Sequence, residues 1–219
     1  MKEEVRIREI LDRLEKEHQG LKLALHFRDP LQLLMATILS AQCTDERVNA
    51  VTPKLFKKYP TAESFAKADL AKLEEDIRPT GFYHNKAKAI IGCSKEIVES
   101  FGGKVPDRLE DLVKLPGVGR KTANVVLANA FGQQTIAVDT HVFRVSRRLG
   151  LAFASDPDKM EQELCAIIPH QKRSEATLAL TWHGRKTCTA KKPACLVCVV
   201  YDYCPWEGKP KKGRTSAGK

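Results

Sequence analysis

Leu115-Pro116-Gly117-Val118-Gly119-Arg120-Lys121-Thr122-Ala123 lies near the middle of a 219-residue chain and predicts two helices joined by a tight turn. Two glycines flank one apolar residue, and glycine tolerates the backbone angles that such a turn needs. A helix starting at Gly119 leaves its first N–H groups without internal partners. With the positive end of the helix dipole, they make a ready phosphate site. Leu115, Gly117, Val118 and Gly119 are therefore candidate contacts to a nucleic-acid backbone, gripped without reading its sequence. An ordinary helix–helix connection explains the same residues, and spacing alone does not choose between the two. Lys121 falls in the first turn of the second helix. The dipole there disfavours an ammonium, and a neutral amine is a nucleophile able to form a Schiff base on a sugar carbon. Most lysines of a basic protein are merely solvated.

Outward from this turn the chain reads as helical throughout. Val5, Ile7, Ile10, Leu11 and Leu14 recur at helical spacing between Lys2 and His18. Another helix follows Pro30, and one begins at Thr44-Asp45, where either side chain can cap, and ends near Pro60. Periodic segments cover Asp69–Ile77 and Asn85–Phe101, and Asp107 is a candidate cap for a short helix ending at Leu115. Beyond the turn, helices are predicted to about Phe131, over Asp139–Leu149, and within Asp156–Ile168 and Lys172–Gly184. No period-two strand pattern is convincing, so the fold class is all-α. Gln133-Gln134-Thr135 is a candidate boundary between a central helical domain and the remainder. Gly208–Lys219 holds five basic side chains and, apart from Ala217, nothing apolar, which predicts a disordered end that is either solvated or in contact with DNA.

Asp139 stands in Ala137-Val138-Asp139-Thr140-His141, after the second hairpin helix. Its position suits a helix N-cap. A capping carboxylate facing a cleft also stabilises positive charge developing on a sugar ring, and the two roles are compatible.

Of seven cysteines, four crowd together as Cys188, Cys195, Cys198 and Cys204, with spacing C-x6-C-x2-C-x5-C. Four thiolates on one short loop suit a tetrahedral zinc or a cubane iron–sulfur cluster. Zinc sites usually draw on two close pairs, and only Cys195 and Cys198 form one here, which tilts the choice toward iron–sulfur. Lys191 and Lys192 lie within the loop, where a metal would hold them firmly enough to meet phosphates; a structural staple with solvated lysines is the plainer alternative. Cys43, Cys93 and Cys165 fall in helical patterns as small core residues.

Composition agrees with these assignments without deciding them. Lys and Arg number 37 against 27 Asp and Glu, a net charge of +10 that favours polyanions and leaves fold and partner open. The longest apolar stretch, Leu31–Leu39, is broken by Gln32 and Thr37 and is too short to cross a bilayer. Met1-Lys2-Glu3-Glu4-Val5 lacks the apolar core of a signal peptide, so a cytoplasmic location is expected, where thiols stay reduced and a disulfide framework is unsuitable.

LPGVGRKTA at Leu115–Ala123, VDTH at Val138–His141 and the four-cysteine spacing, in this order and at these intervals, resemble the endonuclease III family of helix-hairpin-helix DNA glycosylases. Ser40-Ala41-Gln42-Cys43-Thr44-Asp45 and Gly81-Phe82-Tyr83 extend the likeness over nearly the whole chain. The resemblance implies two helical domains with a DNA cleft between them. One is a six-helix barrel over residues 23–133 that carries the hairpin. The other joins residues 1–22 to 134–204 and holds a 4Fe–4S cluster on the four cysteines, followed by a basic tail at 205–219. It implies a bifunctional glycosylase and abasic-site lyase acting as a monomer on duplex DNA. Lys121 attacks the sugar C1′ of a damaged nucleotide, Asp139 assists, and β-elimination follows. The target base must first leave the stack. Gln42 and Phe82 resemble residues that fill the gap left by the flipped nucleotide, and His141 resembles a contact in the same region. Phe82 stands where some relatives carry an aliphatic side chain. The cluster is expected to shape a DNA-binding loop, and oxidised pyrimidines are the expected substrates. Adenine-mismatch glycosylases share the hairpin and cluster, but lack a lysine at position 121 and carry a further C-terminal domain. A zinc-stapled, non-catalytic DNA-binding module would leave Lys121 and Asp139 as coincidence.

Overall fold

The computed structural model describes residues 2–211, which contain helices and turns and no β-strand among the described residues. Eleven α-helices follow one another among them: α1 (Glu3–Glu17), α2 (Pro30–Leu39), α3 (Asp45–Lys58), α4 (Ala62–Ala66), α5 (Leu70–Ile77), α6 (Tyr83–Phe101), α7 (Leu109–Leu112), α8 (Arg120–Phe131), α9 (Thr140–Leu149), α10 (Pro157–Ile167) and α11 (Arg173–Lys186). None of these helices is long and apolar enough to cross a membrane. The chain divides into two compact units. Leu23–Ala137 forms one, and the segments before and after it form the other.

In the first unit α2 is the central element. Leu33 through Leu39 are all buried, so this helix is apolar on every side and must be surrounded. It packs on α3, α6 and α8, while α4 and α5 pack on α6. Side chains start these helices, Thr44 being one of the two caps the sequence offered for α3. Asp29 accepts from the Gln32 N–H at 2.9 Å, Thr44 from Arg47 at 3.4 Å and Asp69 from Lys72 at 3.0 Å. The sequence reading missed α4, whose five residues are too few for periodicity. Its signal is the capping box in which Thr61 and Ser64 bond reciprocally.

Asp107 is not the cap of α7. The N-cap is Arg108, with no side-chain bond, and the Asp107 carbonyl instead accepts from Gln133 Nε2 at 2.6 Å. Gln133-Gln134-Thr135, the candidate boundary, and Ile136 after it are tied back to α8. Thr135 Oγ1 donates to the Asn124 carbonyl at 2.8 Å, and Asn124 Nδ2 donates to the Ile136 carbonyl at 3.0 Å. This unit consequently runs on to Ala137.

In the second unit α11 packs on α9 and α1. Ile10, Leu14, Val142, Val145, Leu164 and Leu180 are buried in it. The approach of α9 to α11 needs a residue without a side chain. A Cβ on Gly184 would come within 2.7 Å of His141 Cβ and 3.1 Å of Val145 Cγ2. Residues 205–211, the first part of the basic tail, bond to the residues before them. Lys209 Nζ donates to the Tyr201 carbonyl at 2.9 Å and to that of Cys204, Tyr201 Oη donates to the Pro210 carbonyl at 2.6 Å, and Trp206 lies under the Arg148 guanidinium. The remainder of the basic tail, residues 212–219, lies outside the described residues.

Candidate active site and metal centre

Leu115 and Val118 are 2% and 5% exposed, so their side chains pin the hairpin turn to the core of its unit. Their main chain is what this leaves for a ligand, in keeping with a grip through backbone N–H groups. Gly117 has φ +77°, and a Cβ there would stand 2.6 Å from Ala89 Cβ on α6, so conformation and packing both demand glycine. Gly119 is different. It caps α8 in extended conformation, and a Cβ built on it meets nothing within 4 Å. It brings no side chain to the first turn of α8, where the helix dipole and outward N–H groups favour an anion. Lys121 is exposed within that first turn.

The same unit carries Gln42 and Phe82. Both are exposed, Phe82 at 63%, and they are the only non-glycine residues with positive φ among the described residues, at 51° and 49°. Left-handed backbone in ordinary residues is uncommon and persists only where the surroundings impose it. The sequence reading overlooked Lys86. It lies on the buried stripe of α6 with Ile90, Cys93 and Ile97, and a lysine on an apolar stripe was the available signal. Burial pushes its ammonium below the ordinary lysine pKa.

Asp139 belongs to the other unit, so the two candidate catalytic residues sit on separate bodies. Its Oδ1 caps α9, accepting from the His141 N–H at 2.8 Å and the Val142 N–H at 2.7 Å. Both recorded bonds use Oδ1, so the second oxygen and its share of the charge are not spent on the helix. His141 is half-buried, with Nδ1 3.2 Å from Arg144 Nη2.

Cys188, Cys195, Cys198 and Cys204 line one small cavity, as the spacing predicts, with Arg148, His183 and Trp206 among the other residues of its wall. Cys43, Cys93 and Cys165 stay apart from it, and Cys93 is a buried core residue whose thiol burial pushes up to about 12. Burial likewise pushes the Cys198 thiol up to about 11 and raises Cys195 and Cys204. A cationic metal reverses that preference, because a coordinated thiol loses its proton. The surrounding donors suit four thiolates. Arg148 Nη1 lies 3.4 Å from Cys188 Sγ, and His183 Nε2 lies 3.6 Å from Cys198 Sγ. The loop carbonyls are taken up as well: Arg148 donates to Thr189 and Ala190 at 2.8 and 3.0 Å, and Arg144 to Cys188 at 3.1 Å. These residues fit an iron–sulfur group. Arg144 and Arg148, one turn apart on α9, were also missed, although their spacing already placed them on one face. Lys191 and Lys192 are exposed on the first loop.

A DNA-repair class follows from this assembly. Residues 35–170 match the HhH-GPD superfamily of base excision DNA repair proteins. Residues 188–204 match the iron–sulfur binding domain of endonuclease III, and the chain is 51% identical to endonuclease III of Synechocystis sp. over 91% of its own length and 92% of the relative's. The chain belongs to the endonuclease III family. Among solved structures it is similar to a non-covalent endonuclease III–DNA complex, with TM-score 0.89, 43% identity, and 94% and 96% of the two chains covered. It is equally similar to a trapped covalent endonuclease III–DNA intermediate, with TM-score 0.89, 43% identity, and 94% and 97% covered.

Proposed function

We infer that the protein is a bifunctional DNA glycosylase and abasic-site lyase of base excision repair. Lys121 is its nucleophile, and oxidised pyrimidines in duplex DNA are its substrates. The observation that carries this reading is an exposed lysine in the first turn of the hairpin helix, in a chain that shares 43% identity with an enzyme trapped covalently on DNA. The Lys121 amine attacks C1′, the C1′–N bond breaks, and the base departs with a proton. As the ring opens, O4′ takes a proton from solvent and the lysine is left as a protonated Schiff base with the opened sugar. Loss of a C2′ proton then expels the 3′ phosphate, cutting the strand on that side. Asp139, with one oxygen uncommitted to α9, offsets the positive charge that grows on the sugar as the base leaves.

The remaining candidate residues hold the DNA. The backbone of Gly117–Gly119 and the start of α8 take a phosphate. Gln42 and Phe82 fill the space vacated by the extruded nucleotide, and His141 is a further contact to the DNA. Cys188, Cys195, Cys198 and Cys204 hold a 4Fe–4S cluster, which gives the loop a fixed shape and presents Lys191 and Lys192 to phosphates. The enzyme works as a monomer in the cytoplasm.

Borohydride reduction of the Schiff base on a duplex with one thymine glycol tests this. A covalent protein–DNA band is expected from the natural protein and none from Lys121→Ala, whose stability should change by no more than about 0.5 kcal/mol because the side chain is exposed. A band that persists in Lys121→Ala removes Lys121 as nucleophile. No band from the natural protein, on this or an abasic duplex, removes the lyase reading.

A further inference from the structure

Lys86 is 5% exposed and forms no ion pair among the described residues. Its Nζ donates to the Leu39 carbonyl at 2.7 Å and to the Thr80 carbonyl at 2.9 Å. Leu39 ends α2, and Thr80 ends the 3-10 turn Arg78–Thr80. The ammonium thus meets the C-terminal ends of two helical segments, where orphan carbonyls and dipoles favour a cation. An apolar side chain of similar length would fill this space without burying a charge that lacks a counter-ion, so stability alone does not explain a lysine here.

What the lysine joins does explain it. Just past Leu39 comes Gln42, with φ 51°, and just past Thr80 comes Phe82, with φ 49°. The Lys86 N–H also donates to the Phe82 carbonyl at 3.1 Å, so this one residue grips the chain on both sides of the exposed ring. Each left-handed residue costs on the order of 1 kcal/mol and persists only where its neighbours over-determine it.

We propose that Lys86 is a positioning residue for base removal: by drawing the Leu39 and Thr80 carbonyls onto one ammonium, it presets Gln42 and Phe82 as a rigid pair that enters the duplex. The proposal rests on the role given above to Gln42 and Phe82. A preset pair spares the enzyme the cost of ordering two loops while it also opens a base stack.

The test compares two substrates. One is a duplex with a single thymine glycol, where a base must be extruded; the other is a single-stranded abasic oligonucleotide, where no stack has to open. Lys86→Met removes the Nζ donor at similar length. Base removal from the duplex is expected to fall roughly tenfold or more, as the competent loop arrangement becomes a minor population. Single-strand cleavage should stay within about twofold, with iron content and helicity unchanged. In a Gln42→Ala, Phe82→Ala background, Lys86→Met should add almost nothing, because all three act as one unit. Equal losses on both substrates, or a full further loss in that background, overturn the proposal. If Gln42→Ala with Phe82→Ala leaves duplex cleavage intact, the gap-filling reading fails first, which separates the two failures. Should Lys86→Met not fold, hydrogen exchange in the unaltered protein decides. The Cys43 and Gly81 amides, bonded to Ser40 and Arg78 carbonyls at 3.1 and 3.2 Å, are expected to exchange slowly together. Exchange at unstructured rates would mean the loops are not preset.

Discussion

The hairpin turn and the cysteine loop, the two elements proposed above to meet DNA, are held by opposite means. The hairpin is fixed by apolar packing: Leu115 and Val118 are buried, each contributing about 1.5–3 kcal/mol, and Gly117 closes on Ala89. The cysteine loop has little of this. Val200 is buried, but Leu196, Val197 and Val199 are 56%, 77% and 39% exposed. Its order comes from Arg144, Arg148 and Lys209 taking up loop carbonyls, and from four thiols that converge on one cavity. A segment that cannot bury enough apolar surface needs another source of free energy, and metal–ligand bonds supply it. One of these elements therefore folds with its unit, whereas the other depends on its metal–ligand bonds.

Removing the iron breaks this comparison most severely. Cys198→Ser, or chelation, should cost the second unit several kcal/mol, because binding energy at such a site is folding energy. Limited proteolysis should open cuts within residues 188–204, while the α2–α8 region keeps its protection. If the iron-free protein resists proteolysis there as well as the loaded one does, the arginine and lysine bonds alone hold the loop and the contrast disappears.

The two hairpin glycines sharpen the comparison from the other side. Gly117→Ala should cost about 2–4 kcal/mol, combining a left-handed alanine with a Cβ pressed against Ala89. Gly119→Ala meets open space at φ −87° and should cost less than about 1 kcal/mol, the difference between glycine and alanine at an N-cap. Its effect belongs to DNA affinity, where a methyl group obstructs a phosphate. Urea unfolding and duplex binding, measured on both variants, separate the two. Equal destabilisation by both would show that the turn is not packed as described.

How much of this the sequence disclosed depended on whether the signal was local. Caps such as Thr44 and Asp139 lie within a few residues of the N–H groups they serve, so they were legible. So were the four cysteines, whose spacing alone suggested convergence. Asp107 had the right residue type one position too early, since the N-cap of α7 is Arg108. The burial of Leu115 and Val118 was open to either reading, since an apolar residue in a turn serves packing or contact equally well in one dimension. The position of Lys86 on an apolar stripe was a local signal, but what it binds was not legible, because its partners Leu39 and Thr80 offer only main-chain carbonyls, which every residue has.

The smallest effect on stability is expected at Asp139, where cap and chemistry share one side chain. Asp139→Asn keeps an oxygen for the His141 and Val142 N–H groups, and asparagine caps about as well as aspartate, so stability should move by only a few tenths of a kcal/mol. Asp139→Ala removes the cap and should cost about 1 kcal/mol. If the carboxylate acts only as a cap, activity must follow stability: the asparagine variant stays active and the alanine variant weakens. If its charge offsets the cation forming on the sugar, both variants lose base removal alike, because amide and methyl are equally unable to supply it. Single-turnover base removal measured beside thermal unfolding distinguishes these patterns. The expected one is loss of activity in Asp139→Asn with its stability intact, which would place Asp139 in the chemistry independently of its service to α9.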